Sequence, residues 1–325
     1  MRAFVQRTYG GPDVLALESL PTPVPADGEV LVRVHAASVN PLDWHLMRGT
    51  PYVLRLAAGL RAPKRQRCGV DFAGVVEATG TGVTRFAPGD HVFGAGPGSF
   101  AEYLTMGERQ PIARMPNGAS FADAAAVPVA GMTALQALRD KGRVAPGQRV
   151  LVNGASGGVG TYAVQIAKAA GAEVTATCSA RNIDLVRGLG ATHLVDYTKD
   201  DITRTGTVFD LIIDTVGTHT VADYRRILSP AGTIVIVGSI HDGEVIGPMA
   251  TLMRAKAAGM FGRQRVDTLI TASRAADLET LADMLREGRL TSTIDRRYPF
   301  EAAAAAIAYV ETGRARGKVV INVIP

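Results

Sequence analysis

The stretch RVLVNGASGGVGTYAVQIAKAAG, residues 149–171, combines an apolar run with a glycine-rich turn. Arg149–Asn153 reads as a buried strand, and a G-x-x-G-x-x-G turn then opens directly into a helical pattern. Apolar or small residues recur with the spacing of one buried helix face at Val159, Tyr162, Ala163, Ile166, Ala167 and Ala170. Gly171 stands where a C-terminal helix cap is expected.

The glycines of this turn suggest an anion site. Gly154, Gly157 and Gly160 allow a tight turn and the close approach of another group, and the helix N-terminus offers N–H groups to an anion. A dinucleotide pyrophosphate fits such a site, whereas a turn selected only for strand–helix packing is the alternative. A second strand, Glu173–Cys178, follows the helix, and this order of elements favours the binding site.

Composition limits the remaining functions. The chain has 325 residues, of which 47% are hydrophobic, and its net charge of +5 arises from 35 basic and 30 acidic residues spread along the chain. These values predict one large or two ordinary globular domains and do not favour nucleic acid as a partner. A basic cluster at Arg61, Lys64, Arg65 and Arg67 is interpreted as a solvated loop, with contact to a charged ligand as the alternative.

Cysteine usage and the N-terminus indicate the compartment. Cys68 and Cys178 form no C-x-x-C pair, so neither a disulfide framework nor a structural zinc site is expected. The start, MRAFVQ, resembles a strand rather than a signal peptide, and no apolar run is long enough to span a membrane. We therefore expect a cytoplasmic protein with no membrane partner.

The first 110 residues have the pattern of a small all-β barrel. Val30, Val32 and Val34 alternate with other residues as in a strand, and Gly74–Ala78 and His91–Phe93 are further strands between turn signals. Residues 40–68 are too irregular for a single element and longer than an ordinary connection. We expect this stretch to form a wall of a substrate pocket.

From Asp123 onward, helices and strands alternate. The segments predict an α/β unit with a parallel, doubly wound sheet and a ligand at the carboxyl ends of its strands. Beyond the strands already given, the predicted elements are helices at Ala124–Leu138, Asn182–Leu189 and Val221–Leu228 and strands at Thr192–Val195, Phe209–Asp214 and Thr233–Val237. After Phe261 come a helix at Ala275–Glu287, a strand at Thr293–Arg296, a helix at Phe300–Glu311 and a strand at Lys318–Val323, and we expect this tail to complete the N-terminal domain.

Along nearly its full length the chain resembles the zinc-independent, quinone oxidoreductase-like branch of the medium-chain dehydrogenase/reductase superfamily. The matching motifs are VNPLD at 39–43, GVDFAGVV at 69–76, PGDHVFG at 88–94, VNGASGGVGTYAVQIAK at 152–168 and RARGKVVI at 314–321. The resemblance implies a GroES-like catalytic domain at 1–123 and 262–325, a Rossmann NADP-binding domain at 124–261, and a substrate cleft where they meet. It also implies a homodimer formed by edge strands, for which Thr233–Val237 and the segment after Met260 are candidates.

The residues after the second strand of the nucleotide unit favour NADPH over NADH. An acidic residue there binds the ribose hydroxyls of NAD, whereas this chain has Ser179 and Arg181, which can bind a 2′-phosphate. A helix N-cap and a solvated side chain are the respective alternatives, and Asp184 is interpreted as an acid favoured by the helix dipole. By resemblance, the cofactor site also includes Thr133, Ser156, Gly158, Val159, Tyr197, Val216, Gly217, Gly238, Ser239 and Lys318.

The positions that bind catalytic zinc in alcohol dehydrogenases carry other residues here. Asn40 stands where the resemblance places Cys, and Val70 stands where it places His. Neither side chain is a zinc ligand of the usual kind, so no metal site is predicted.

Three residues are candidates for catalysis without a metal. Asn40 can donate a hydrogen bond to a developing enolate or hydroquinone oxygen, or it can simply cap a turn at Pro41. His45 and Tyr52 are candidate proton donors, although each can instead fill space or line a wall. Asp43 is expected to orient the loop, and Trp44 to be either a wall for a planar substrate or core.

Taken together, these features predict an NADPH-dependent reductase of quinones or α,β-unsaturated carbonyl compounds. The nearest enzymatic alternative is an NADP-dependent alcohol dehydrogenase that acts on aldehydes. The alternative of another class is an NADPH-binding structural or regulatory protein with weak activity.

Overall fold

The computed structural model describes residues 1–238, 253, 258–259 and 263–324. The chain forms two compact units, one of Met1–Met132 with Ser273–Pro325 and the other of Thr133–Ala272. Both divisions fall further along the chain than the predicted boundaries at 123/124 and 261/262. One reason is that the segment after residue 123 joins the first unit, where the Val129 N–H donates to Asp71 across 3.1 Å.

The elements are numbered in chain order. The strands are β1 (Arg2–Gln6), β2 (Leu15–Ser19), β3 (Glu29–Val39), β4 (Asp71–Thr79), β5 (His91–Ala95), β6 (Tyr103–Gly107), β7 (Ile112–Arg114), β8 (Arg149–Asn153), β9 (Glu173–Cys178), β10 (His193–Asp196), β11 (Phe209–Asp214), β12 (Leu228–Ile236), β13 (Arg265–Thr268), β14 (Ile294–Pro299) and β15 (Lys318–Asn322). The described α-helices are α1 (Pro41–Arg48), α2 (Arg55–Ala58), α3 (Phe121–Ala125), α4 (Pro128–Gln136), α5 (Gly158–Ala169), α6 (Ile183–Gly188), α7 (Val221–Arg226), α8 (Ala275–Arg286) and α9 (Ala303–Glu311). No helix among the described residues is long and apolar enough to cross a membrane.

The first unit is built on a seven-stranded sheet in the order β14-β15-β3-β4-β5-β7, with β6 also paired to β3. The predicted return of the tail is confirmed, because β15 pairs antiparallel with β3. The alternation at Val30, Val32 and Val34 has the expected cause, since all three side chains are fully buried in the core. Helix α9 packs into the same core through Ala303, Ala306 and Ile307.

Among its described residues, the second unit contains a six-stranded parallel sheet in the order β10-β9-β8-β11-β12-β13. This is the Rossmann order, in which the direction of winding changes between β8 and β11 and a ligand crevice forms at the strands' carboxyl ends. The predicted bounds of β8, β9 and β11 are confirmed. The prediction that Thr233–Val237 is an edge strand is wrong, because β12 lies between β11 and β13.

Three local predictions need correction. The single helix predicted at Ala124–Leu138 is two helices, α3 and α4, because Pro128 starts a new one. The stretch of residues 40–68 contains the regular helix α1, which begins with Pro41 at its favoured first position. Helix α5 is buried on more than one face, over Gly160–Ala167, and Gly171 ends it with a φ of +79°, as expected of a cap.

Candidate active site

The turn between β8 and α5 requires glycine at two positions for folding alone. Gly154 has a φ of +82°, and a Cβ built on it would lie 2.2 Å from Cγ2 of Val216. A Cβ on Gly160 would lie 2.2 Å from the carbonyl oxygen of Gly154. Neither position can carry a side chain unless its surroundings move.

Gly157 differs, because no contact with a described residue requires glycine there. Its φ of −82° is open to any residue, and its Cβ would meet only the Gly154 carbonyl oxygen, at 3.5 Å. It stands at the N-cap of α5, where the N–H groups of the first turn have no intrahelical acceptors and the helix dipole favours an anion. The space over Gly157 is therefore a cradle that a side chain would fill and a phosphate can use.

A buried polar network holds the turns after β8 and β11 together. The Asn153 Nδ2 group donates to Asp214 Oδ1 across 2.9 Å, and the same carboxylate oxygen accepts the N–H groups of Val216 (3.1 Å) and Gly217 (2.9 Å). Thr177 Oγ1 donates to Asn153 Oδ1 across 2.5 Å and accepts from the Gly154 N–H across 3.2 Å. Val216 and Gly217 thus lie beside the glycine turn, as their predicted cofactor role requires, although that role stays a prediction.

The sequence analysis missed the side chains of this network that belong to Asn153, Thr177 and Asp214. Asn153 and Asp214 end β8 and β11 with a polar side chain after four or five mostly apolar residues. Because the carboxyl ends of adjacent parallel strands meet at one edge of the sheet, that repeated position was an available signal.

The residues after β9 form a polar edge. Ser179 occupies an N-cap position, but its hydroxyl makes no capping hydrogen bond, so capping does not account for it. Arg181 is exposed, and Tyr197 is 63% exposed. Asp184 forms an ion pair with Arg187 across 2.7 Å, in keeping with its interpretation as a first-turn acid.

Ser156 lies inside the glycine turn and contacts this polar edge. The Nδ2 group of Asn182, a residue that the sequence analysis did not single out, donates to the hydroxyl oxygens of Ser156 (2.9 Å) and Ser179 (3.3 Å). The two serines from different turns are thereby brought together.

Three more predicted cofactor residues belong to the second unit. The Thr133 hydroxyl is hydrogen-bonded to the Thr271 hydroxyl across 2.7 Å. A Cβ on Gly238 would lie 3.0 Å from the carbonyl oxygen of Thr215, so this glycine permits a close backbone approach. Ser239 lies outside the described residues.

In the first unit, Asn40 and Lys318 belong to a buried polar cluster. Asn40 Nδ2 donates to Asp71 Oδ2 across 2.9 Å, and the Lys318 ammonium donates to Asn40 Oδ1 across 2.5 Å. Lys318 Nζ also lies 3.6 Å from Asp71 Oδ2, and Ser38 donates to the same oxygen across 3.0 Å. The sheet register explains the cluster, because Ser38 pairs with Asp71 and the end of β3 pairs with the start of β15.

Burial shifts the pKa values in this cluster. It raises the pKa of the Asp71 carboxyl, an effect that the Lys318 ammonium opposes most strongly, and it lowers the pKa of Lys318 itself. Asp43, whose Oδ2 accepts the Asn40 N–H across 2.7 Å, has a pKa raised by burial to about 7. Asp43 therefore orients the loop, as expected, and carries a proton for part of the neutral range.

The structure answers part of the question about Asn40. This residue is the N-cap of α1 and forms a capping box with Asp43, and its side-chain amide is also directed to Asp71 and Lys318. The Asn40 side chain also interacts with the carboxylate of Asp43, an interaction that opposes the rise in the Asp43 pKa. Asn40 is only 2% exposed, so its orientation is fixed by the cluster.

His45 and Tyr52 are held by contacts of different kinds. His45 Nδ1 lies 2.8 Å from the carbonyl oxygen of Thr50, which can only accept, so Nδ1 carries a proton. The His45 ring also stacks on Trp44 with ring centroids 3.6 Å apart. The Tyr52 ring lies 4.7 Å from the Arg55 guanidinium, a cation–π contact, and remains 43% exposed.

Known dehydrogenase and reductase families match this chain. The family model described as an alcohol dehydrogenase GroES-like domain matches residues 26–117, and the one described as a zinc-binding dehydrogenase matches residues 189–321. The chloroplast envelope quinone oxidoreductase homolog of Arabidopsis thaliana is 33% identical over 99% of this chain and 98% of its own length. The trans-enoyl reductase pgmF of Aspergillus terreus is 34% identical over 91% of this chain and 86% of its own length.

A solved structure agrees with these relatives. The quinone oxidoreductase from Coxiella burnetii superposes with a TM-score of 0.84 at 33% identity, covering 100% of this chain and 99% of that one. A GroES-like unit joined to a Rossmann unit with a glycine turn defines a medium-chain dehydrogenase/reductase. Within that class, the chain belongs to the quinone oxidoreductase-like family.

Proposed function

We propose that this protein is an NADPH-dependent reductase of quinones or α,β-unsaturated carbonyl compounds. Family membership makes it an NAD(P)H-dependent oxidoreductase. The cradle over Gly157, at the N-terminus of α5, is the observation that carries the proposal, because it leaves room for a pyrophosphate and no contact with a described residue requires glycine there.

The preference for NADPH is supported by the chemistry of the edge after β9. Ser179 offers a hydroxyl that does not cap its helix, and Arg181 is an exposed cation near it in the chain. Charge-assisted hydrogen bonds from such groups favour a phosphate. Asp196 pairs with Cys178 in the sheet and is a carboxylate near this edge; its Oδ1 accepts from the Thr198 hydroxyl across 2.8 Å, whereas its buried Oδ2 has no partner among the described residues.

Bound NADPH would supply a hydride equivalent to the acceptor, and the protein's own side chains would manage the charge that develops. We propose that the Asn40 amide donates to the oxygen that becomes negative, with the amide held rigidly by Asp71 and Lys318. His45 then donates the proton. Because its Nδ1–H is directed to the Thr50 carbonyl, it can give a proton from Nε2 only in the imidazolium form.

The proposed reaction uses no zinc, and this rests on the residues present. The Lys318 ammonium lies 2.5 Å from Asn40 Oδ1, and Val70 has no donor atom, so the positions of the usual ligands do not suit a cation. Across the described residues, no three His, Cys, Asp or Glu side chains group as a metal ion requires.

We also propose that the protein is a cytoplasmic homodimer. Cys68 and Cys178 are both free thiols, in keeping with a reducing compartment. Strand β13 comes last in the order of the described strands of its sheet, and it is the strand that we propose pairs with its copy in a second chain.

A substrate panel tests the proposed activity. We would follow NADPH oxidation at 340 nm, with EDTA present, against 9,10-phenanthrenequinone, a 2-alkenal and a saturated aldehyde. Turnover of the quinone or alkenal is the expected result. Turnover of the saturated aldehyde alone would indicate an alcohol dehydrogenase, and tight NADPH binding with background oxidation throughout would indicate a binding protein.

A further inference from the structure

Asn182 links the two serines of the predicted phosphate site. It precedes α6, is 4% exposed, and its backbone N–H donates to the Ser179 carbonyl oxygen across 2.8 Å. Its Nδ2 group donates to Ser156 Oγ and Ser179 Oγ at 2.9 and 3.3 Å. One buried amide therefore contacts a hydroxyl from the glycine turn and a hydroxyl from the end of β9.

The direction of these hydrogen bonds determines what the serines can offer to a ligand. A hydroxyl has one proton and two lone pairs, so when its oxygen accepts from Asn182 its own proton is turned elsewhere. Neither Ser156 nor Ser179 donates its hydroxyl proton to a residue that the structure describes, and both side chains are only half-buried. Both hydroxyls are thus available to the outside as donors.

The carbonyl oxygen of the Asn182 side chain is in an unfavourable position, and the orientation of the amide toward the two serines accounts for it. Its Oδ1 is buried and accepts no hydrogen bond from the described part of the chain. A buried carbonyl oxygen without a partner is unfavourable, so its presence in a folded protein requires a reason. Turning the amide round would place Oδ1 on the serines, and their hydroxyl protons would then be drawn inward.

We infer that Asn182 is a positioning residue for the cofactor preference, and that its amide directs the hydroxyl protons of Ser156 and Ser179 toward the 2′-phosphate of NADPH. The inference rests on the proposed function. A phosphate accepts hydrogen bonds through several oxygens, whereas a ribose 2′-hydroxyl must also donate, so two preset donors favour the phosphate.

Two probes that differ only in the 2′-phosphate test this inference: adenosine 2′,5′-bisphosphate and 5′-AMP, titrated calorimetrically into the full chain. In Asn182→Ala we expect binding of the bisphosphate to weaken about tenfold and binding of 5′-AMP to change less than about twofold. A merely structural role would weaken both probes alike. Asn182→Leu keeps a similar volume and removes the hydrogen bonds without adding a charge, so it carries the test if the alanine variant does not fold.

A background without the serine hydroxyls is the matched control. If Asn182 acts through Ser156 and Ser179, then Asn182→Ala added to Ser156→Ala/Ser179→Ala should change bisphosphate binding less than about twofold. Equal losses for both probes, or an undiminished loss in this background, would overturn the inference while leaving the proposed function intact. A wild-type protein that binds the two probes equally would overturn both.

Discussion

Replacing Gly157 with alanine should separate cofactor binding from folding. The backbone at Gly157 has a φ of −82°, and the new methyl group would meet only the Gly154 carbonyl oxygen, at 3.5 Å. We expect the free energy of unfolding to change by less than about 1 kcal/mol, because the loss of a glycine N-cap and the gain from a stiffer unfolded chain oppose each other.

The same methyl group would occupy the cradle at the N-terminus of α5. An overpacked contact costs about 1–3 kcal/mol, which corresponds to a Kd for NADPH that is roughly 5- to 150-fold weaker. Urea unfolding gives the stability, and titration of NADPH fluorescence gives the Kd of the same preparation.

Two other glycines provide the comparison. Gly160→Ala should lose about 3 kcal/mol of stability or more, because its Cβ would lie 2.2 Å from the Gly154 carbonyl oxygen. Gly188→Ala, at the end of α6 with open space around its Cβ, should leave the Kd unchanged. A Gly157→Ala protein that binds NADPH as tightly as wild type, or that unfolds like Gly160→Ala, would refute the reasoning.

Further predictions concern the buried cluster and the candidate proton donors. Below pH 7 the folded state holds a proton on Asp43 that the unfolded chain releases near pH 4, so the contribution of Asp43 to the free energy of unfolding falls as pH rises from about 4 to about 7, by at most about 4 kcal/mol. In Asp43→Asn, urea unfolding between pH 4 and 8 should show no such fall. An unchanged dependence of stability on pH would exclude Asp43 as its source. Lys318→Met leaves the carboxylate of Asp71 buried without its cation, so the free energy of unfolding, measured in urea, should fall by about 3–5 kcal/mol. A fall below about 1 kcal/mol would mean that Asp71 and Lys318 are not a charged pair. His45→Gln should lower kcat by about 100-fold or more, and an unchanged kcat would remove His45 from the mechanism. Tyr52→Phe keeps the ring over Arg55 and should change kcat less than about twofold, and a loss comparable to that of His45→Gln would instead identify Tyr52 as the acid.

The Rossmann unit could be predicted closely because its signals are local. Strand β8, the glycine turn and Gly171 follow one another within residues 149–171, and each is determined by neighbouring residues and backbone geometry. The break at Pro128 was also local but was overlooked in an alanine-rich segment. The place of β12 inside the sheet was not predictable, since it depends on β13, more than 25 residues later.

The site residues divide in the same way. Gly154 and Gly160 can be recognised in the sequence, because a Cβ at either position would clash with a neighbouring atom and glycine is therefore required. Asp71 appears in the sequence only as part of a motif, yet in the structure it contacts both Asn40 and Lys318. These two residues are far apart in the chain, and the sheet register brings them together. Such clusters depend on strand pairing, and a single sequence does not reveal which polar residues near strand ends will meet.

We propose that the nucleotide site selects NADPH for the reduction of a quinone or enal. The most direct measurement is kcat/KM for NADPH and for NADH in parallel, with the best acceptor of the panel and with EDTA present. We expect NADPH to exceed NADH by at least about tenfold, with no effect of the chelator. Equal use of NADH would contradict the phosphate role of Ser179 and Arg181, and loss of activity in EDTA would contradict a metal-free reaction.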